Sequence, residues 1–173
     1  TPSNSSAASD VYKRQVQYKM FKANYKPNSA ADISGGENYP GIRGRVIFRQ
    51  QKNGVLVTAD IYGLPTGETG CDSGVFGFHI HEGEDCGSNG QEPFSNTKGH
   101  YNPGDCPHPY HAGDLPPLFE NDGYAYMSFL TNRFTATEII GRTVVIHLKP
   151  DDFHSQPSGN SGEKIACGVI KAL

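Results

Sequence analysis

Apolar and polar residues alternate with a period of two along much of the chain, as they do in strands with one buried face. Val16, Tyr18 and Met20 alternate with Gln17 and Lys19 and predict a half-buried first strand. A polar loop containing Pro27, Gly35, Gly36 and Pro40 follows. Residues 44–50 (GRVIFRQ) and 55–62 (VLVTADIY) predict a hairpin around Asn53-Gly54, a pair suited to tight hairpin turns. Residues 75–81 (VFGFHIH), 124–130 (YAYMSFL), 143–148 (TVVIHL) and 164–171 (KIACGVIK) predict four more strands, and residues 115–120 a short eighth. No segment shows the 3.6-residue period of an amphipathic helix. Between residues 82 and 118 lies a tract of almost forty positions rich in Gly, Pro, Asn and Asp. In a compact domain, a loop of that length usually carries function.

Composition narrows the class. The 173 residues suffice for one hydrophobic core, and neither a repeat nor a second domain is evident. With 21 Gly, 12 Pro and few helix formers, the chain is expected to be all-β, a sandwich or barrel. No apolar run reaches the length of a spanning helix. Fifteen basic against 18 acidic residues leave a net charge of −3, which disfavours nucleic-acid binding. Residues 1–15 are rich in Ser, Asn and Ala without apolar period and read as a disordered tail or linker; the domain is expected over 16–173. No secretory leader is visible, so for an exported protein it has been removed or lies outside this sequence.

Four cysteines, Cys71, Cys86, Cys106 and Cys167, form no CxxC pair. An even count without zinc-ribbon spacing suggests two disulfides in an oxidising compartment, with three connectivities open.

The histidines carry the chemistry. His79 and His81 lie two apart on a strand, so both rings face one side of the sheet. His100 lies in the long loop, followed by His108, His111 and Asp114 as H-x-x-H-x-x-D, and His147 ends an apolar strand. Six of seven histidines and a carboxylate thus gather at one sheet end and one loop, and imidazole suits copper and zinc. His154, in a polar loop, is expected to be solvated. Tyr62, Phe78, Tyr124, Tyr126 and Phe129 fall on strand periods and are expected in packing, and Phe119 beside an acidic turn as a dimer contact.

The motifs GFHIHE (77–82), GHYNP (99–103), HAGDLP (111–116), GRTVVIH (141–147) and GNSGEKIACGVI (159–170) occur in order. Together they resemble the copper–zinc superoxide dismutase family in its bacterial branch, over about residues 41–173. The resemblance implies an eight-stranded antiparallel Greek-key β-barrel or sandwich with a long metal-binding loop. It implies copper held by His79, His81, His100 and His147, and zinc held by His100, His108, His111 and Asp114, with His100 bridging the two. The separation of three between His108 and His111 is shorter than in the animal enzymes. Asp151 resembles the carboxylate that joins zinc and copper ligands through their outer nitrogens. Cys86 and Cys167 match the family's disulfide; Cys71 and Cys106, left over, are expected to pair.

The implied activity is disproportionation of superoxide to dioxygen and hydrogen peroxide, with His100 handing on a proton. The family's anion-guiding Arg, three before the last Cys, is Lys164 here, preceded by Glu163. Lys keeps the charge and loses the planar guanidinium. Residues 151–163 carry three acids and no Lys or Arg, so steering of the anion is expected to be weaker than in Arg-bearing relatives, with Lys98 and Lys149 as compensating candidates. An extracytoplasmic location is implied, and a homodimer and a membrane tether through a missing N-terminus are compatible with it. The competing reading is a non-enzymatic, dismutase-like metal-binding envelope domain. Such relatives usually lack a copper ligand, and none is missing here. A copper carrier would favour soft sulfur ligands, and two Met argue against it.

Overall fold

The computed structural model describes residues 27–67, 74–90 and 92–173, and no α-helix occurs among them. Nine strands form: β1 (Ser29–Gly35), β2 (Arg43–Gln51), β3 (Gly54–Tyr62), β4 (Val75–Phe76), β5 (Phe78–His81), β6 (Leu118–Phe119), β7 (Tyr124–Thr131), β8 (Thr143–His147) and β9 (Lys164–Ala172). The strand expected around Val16, Tyr18 and Met20, and the tract 1–15, lie outside the described residues.

Two expectations need correction. β1 runs through a stretch expected as polar loop. Its sequence SAADISG offers little apolar area and no clear alternation, and the strand forms between β2 and β9, which pair with it on either side. The β2–β3 hairpin turns at Lys52-Asn53, one residue early, with Gln51 opposite Gly54.

Seven strands form one antiparallel sheet in the order β5-β8-β9-β1-β2-β3-β7, and β4 pairs with β6. Gly77 divides β4 from β5. Its N–H donates to the Lys149 carbonyl and its carbonyl accepts from the His147 N–H, both at 2.8 Å. β6 turns through residues 121–123 into β7 and lies against it, so the sheet curls back on itself. With β4 and β5 counted as one bent strand, eight strands form an antiparallel barrel. The spatial neighbours β9/β1, β3/β7 and β5/β8 are distant in sequence, as in a Greek key.

Alternation decides what faces inward. Val46 and Phe48 of β2, Val55, Val57, Ala59 and Ile61 of β3, Phe78 and Ile80 of β5, and Val144 and Ile146 of β8 enter a single core. Phe134, just past β7, closes on Phe48 edge-to-face at 6.2 Å. Full burial of such side chains contributes about 1.5–3 kcal/mol each. The positions between them, His79, His81 and His147, take the outer face of the same wall and are nevertheless buried. A second layer therefore covers that wall.

The cover is the long loop. Tyr101 N–H donates to the Ile80 carbonyl (2.8 Å), Ile80 N–H to Gly113 (2.9 Å) and Gly113 N–H to Tyr101 (2.8 Å). These bonds stitch the loop to the free edge of β5, placing His100 beside His81 and Asp114 beside His79 as isolated bridges. Gly113 is required there, since a Cβ would lie 2.2 Å from the Ile80 oxygen. Cys86 and Cys167 form a disulfide that joins the loop to β9 across 81 positions. Cys106 is an exposed free thiol, and its expected partner Cys71 lies outside the described residues. The Cys106 backbone is clasped by the Asn102 amide (3.0 and 2.8 Å) in a tight turn that leaves the sulfur on the surface.

Candidate metal centre

Two donor sets share one ring. His79, His81, His100 and His147 bring one nitrogen each to within 4.8 Å of one another, and so do His100, His108, His111 and Asp114 with a carboxylate oxygen. All seven side chains are buried. The first set comes from β5 and β8 plus the loop; the second comes from the loop alone. Despite the three-residue spacing, His108 and His111 converge, because the chain doubles back so that the His111 N–H donates to Asp114 Oδ2 at 3.0 Å.

The outer nitrogens of most of these rings are occupied by protein oxygens, which fixes the tautomers. His79 Nε2 donates to Asp151 Oδ2 (2.8 Å), His81 Nδ1 to the Lys98 carbonyl (2.9 Å) and His147 Nδ1 to the Gly162 carbonyl (3.2 Å). His108 Nε2 donates to Asp151 Oδ1 (2.9 Å). The inner nitrogens are left bare. His79 Nδ1, His100 Nε2, His108 Nδ1 and His111 Nδ1 are buried without a hydrogen-bond partner. His108 Nδ1 and His111 Nδ1 lie 3.0 and 3.3 Å from Asp114 oxygens, close but outside hydrogen-bonding geometry. His81 Nε2 faces His147 Nε2 at 3.2 Å, two lone pairs aimed at one point. Buried nitrogens converging on one point, four in the first set and three with a carboxylate in the second, are the donor pattern of a metal-ligand shell, and both sets fit a divalent cation.

Electrostatics keeps the rings in ligand form. Burial, opposed by the Asp151 hydrogen bond, lowers His79 to about 4. Burial and the His79 ring lower His147 to about 3. Burial and then His147 hold His81 well below its usual value. These three rings are thus neutral at neutral pH, the state a metal requires. Burial pushes Asp114 upward, but the His100 hydrogen bond and the surrounding imidazoles hold it below the usual carboxylate range. Asp151 is lowered likewise: the hydrogen bonds from His79, the Phe153 N–H and His108 outweigh its burial. Gly159 presses on this carboxylate, and a Cβ there would lie 1.9 Å from Asp151 Oδ1.

Lys164 stands at the rim. Its Nζ donates to Thr97 Oγ1 (2.8 Å) and to the Lys98 carbonyl (3.1 Å), which also accepts from His81. Burial lowers its pKa. Lys98 and Lys149 are exposed, and the Lys149 stem lies over Gly162, whose carbonyl holds His147. His154 lies apart from both donor sets, its Nδ1 on the Asp152 carbonyl at 2.7 Å. Residue types alone did not point to Gln156. Its amide accepts from the His108 N–H (3.0 Å) and donates to the His108 carbonyl (2.7 Å). The acceptors on Lys98 and Gly162 are backbone groups, which no side-chain pattern announces.

Comparison with known proteins agrees with this geometry. Residues 42–170 match the family model described as copper/zinc superoxide dismutase. A superoxide dismutase (Cu-Zn) of Legionella pneumophila is 37% identical over 136 residues, 74% of this chain and 77% of that protein. One from Deinococcus radiodurans is 35% identical over 150 residues, covering 76% and 79%. Among solved structures, a doubly substituted SOD-like protein from Bacillus subtilis superposes with a TM-score of 0.66 at 26% identity, covering 82% of this chain and 96% of that one.

Proposed function

The chain belongs to the copper/zinc superoxide dismutase family, and we propose that it disproportionates superoxide to dioxygen and hydrogen peroxide. The observation that carries this reading is the pair of buried donor sets sharing His100, with bare nitrogens converging in each. The first set, His79, His81, His100 and His147, would hold copper; the second, His100, His108, His111 and Asp114, zinc. Bound there, copper supplies a one-electron couple and zinc a fixed positive charge.

The chain's own residues do the rest. Asp151 orients one ring of each set, His79 and His108, and keeps their outer protons in place. The Lys98 and Gly162 carbonyls do the same for His81 and His147. His100 Nδ1 lies 2.7 Å from Asp114 Oδ1, which leaves its buried, unpartnered Nε2 for the first set. Nε2 is therefore the atom that takes up a proton and returns it to the departing product. Lys164 contributes positive charge at the rim and braces the loop that orients His81.

The Cys86–Cys167 disulfide supports an oxidising, extracytoplasmic location, and the N-terminal tract would serve as tether there. Tyr62, Phe119 and Tyr126 are 45, 68 and 60% exposed, and within the same reading they form the face on which two copies pair. Metal analysis of the purified chain together with a superoxide assay tests the proposal. Both metals at one per chain with rapid dismutation is the expected result. Full metal loading without dismutation would instead favour a non-enzymatic metal-binding domain.

A further inference from the structure

We propose that Arg133 is a positioning residue that holds the 108–114 ligand loop closed from behind and thereby sets the affinity of the second donor set for zinc. This rests on the assignment of zinc to that set. Nη1 of Arg133 lies 3.1 Å from each of three backbone carbonyl oxygens, those of Pro109, His111 and Asp114. The side chains of His108, His111 and Asp114 meet at one point, and these carbonyls of the same loop meet at another. Three carbonyl dipoles directed at one spot repel each other, and a cation at that spot reverses the sign of the interaction. Nη1 has two protons for three acceptors, so at least one proton is shared, and all three contacts are charge-assisted.

The base from which Arg133 reaches is rigid. It lies two residues past the end of β7, its own N–H donates to Thr131 Oγ1 (3.3 Å), and the next residue, Phe134, is anchored in the core. Beyond the Gly113–Ile80 bond to β5, the guanidinium thus ties this loop to a second point on the barrel wall. Without it the carbonyls separate, and His111 and Asp114 lose the register that brings their donor atoms beside His100 and His108. The first donor set takes three of its four rings from β5 and β8, so its geometry depends far less on Arg133.

The test uses the full chain stripped of metal and titrated with zinc against a chromophoric chelator, with copper titrated separately. Cobalt(II) at the zinc position reports coordination geometry by its visible bands. Arg133→Ala is expected to weaken zinc binding by about 10–100-fold, the usual effect of losing an outer partner of a metal ligand, and to weaken the tetrahedral cobalt bands. Copper binding should change by less than about threefold, and Arg133→Lys, which keeps the charge without the planar donor group, should fall between. Should the Ala variant not fold, Arg133→Lys and Arg133→Gln give the same comparison. Zinc affinities within about twofold of the parent in these variants would overturn the proposal, since outer partners matter by more than that. Equal losses for zinc and copper would overturn it too, as general loosening. A parent chain that binds no zinc would instead sink the zinc assignment itself, and with it this role.

Discussion

Most rings at the centre have a lone pair whose direction is set before any ion arrives, and single atoms decide how well. Gly159 shows how small the tolerance is. Its φ is +65°, and a methyl group there would displace the Asp151 carboxylate from between His79 and His108. Gly159→Ala is expected to destabilise the protein by about 1–3 kcal/mol, the range for overpacking, read as a lowered denaturant midpoint, with zinc uptake weakened at the same time. His147→Ala removes one of four nitrogens from the first set. Dismutation should fall by more than about 100-fold, beyond the effect of losing an outer partner, while circular dichroism and zinc content stay close to the parent. The residues of the two donor sets were legible in the sequence because their type and spacing are local: HIH on one strand, H-x-x-H-x-x-D in one loop. Their supports were not. The Lys98 carbonyl is 17 positions from His81, and Gln156 is 48 from His108. Neither a backbone oxygen nor a glutamine in a polar stretch carries a sign of the ring it holds.

Among the elements, β5 bears the most constraint. One face fills the core with Phe78 and Ile80, the other presents His79 and His81, and its outer edge is bonded to the long loop. The period-two pattern of FHIH predicts both faces but not the edge, which depends on Gly113 more than thirty positions away. β1 was illegible for a related reason: alanines flanked by two strands need no apolar stripe of their own. The disulfide fixes the loop's other end to β9. Opening it with Cys86→Ser removes a cross-link closing 81 positions, worth roughly 4.5 kcal/mol in the chain-entropy model. The expected result is a thermal midpoint lowered most strongly in the metal-free protein, where no bound ion also ties the loop; equal midpoints for the two proteins would count against it.

For the molecule as a whole, the anionic substrate meets a chain of net charge −3. Local cations must therefore guide it. Lys164 is already engaged with Thr97 and the Lys98 carbonyl, whereas an arginine could keep those contacts and still present N–H groups outward. Lys164→Arg should raise kcat/KM and steepen its fall with ionic strength, and Lys164→Ala should flatten it; stopped-flow rates across a salt series decide. Phe119→Glu should leave the sedimentation coefficient at the monomer value if the Tyr62, Phe119 and Tyr126 face pairs two copies. The barrel class and the gathering of histidines were visible in strand pattern and motif, while the closure of the sheet at Gly77 and β6 depends on contacts between distant segments. One ring and one carboxylate, His100 and Asp151, belong to both halves of the centre. Occupancy of the two halves is therefore thermodynamically linked. Whatever factor the first ion imposes on the second, the second imposes on the first, so the order of loading alters the path and never the total free energy.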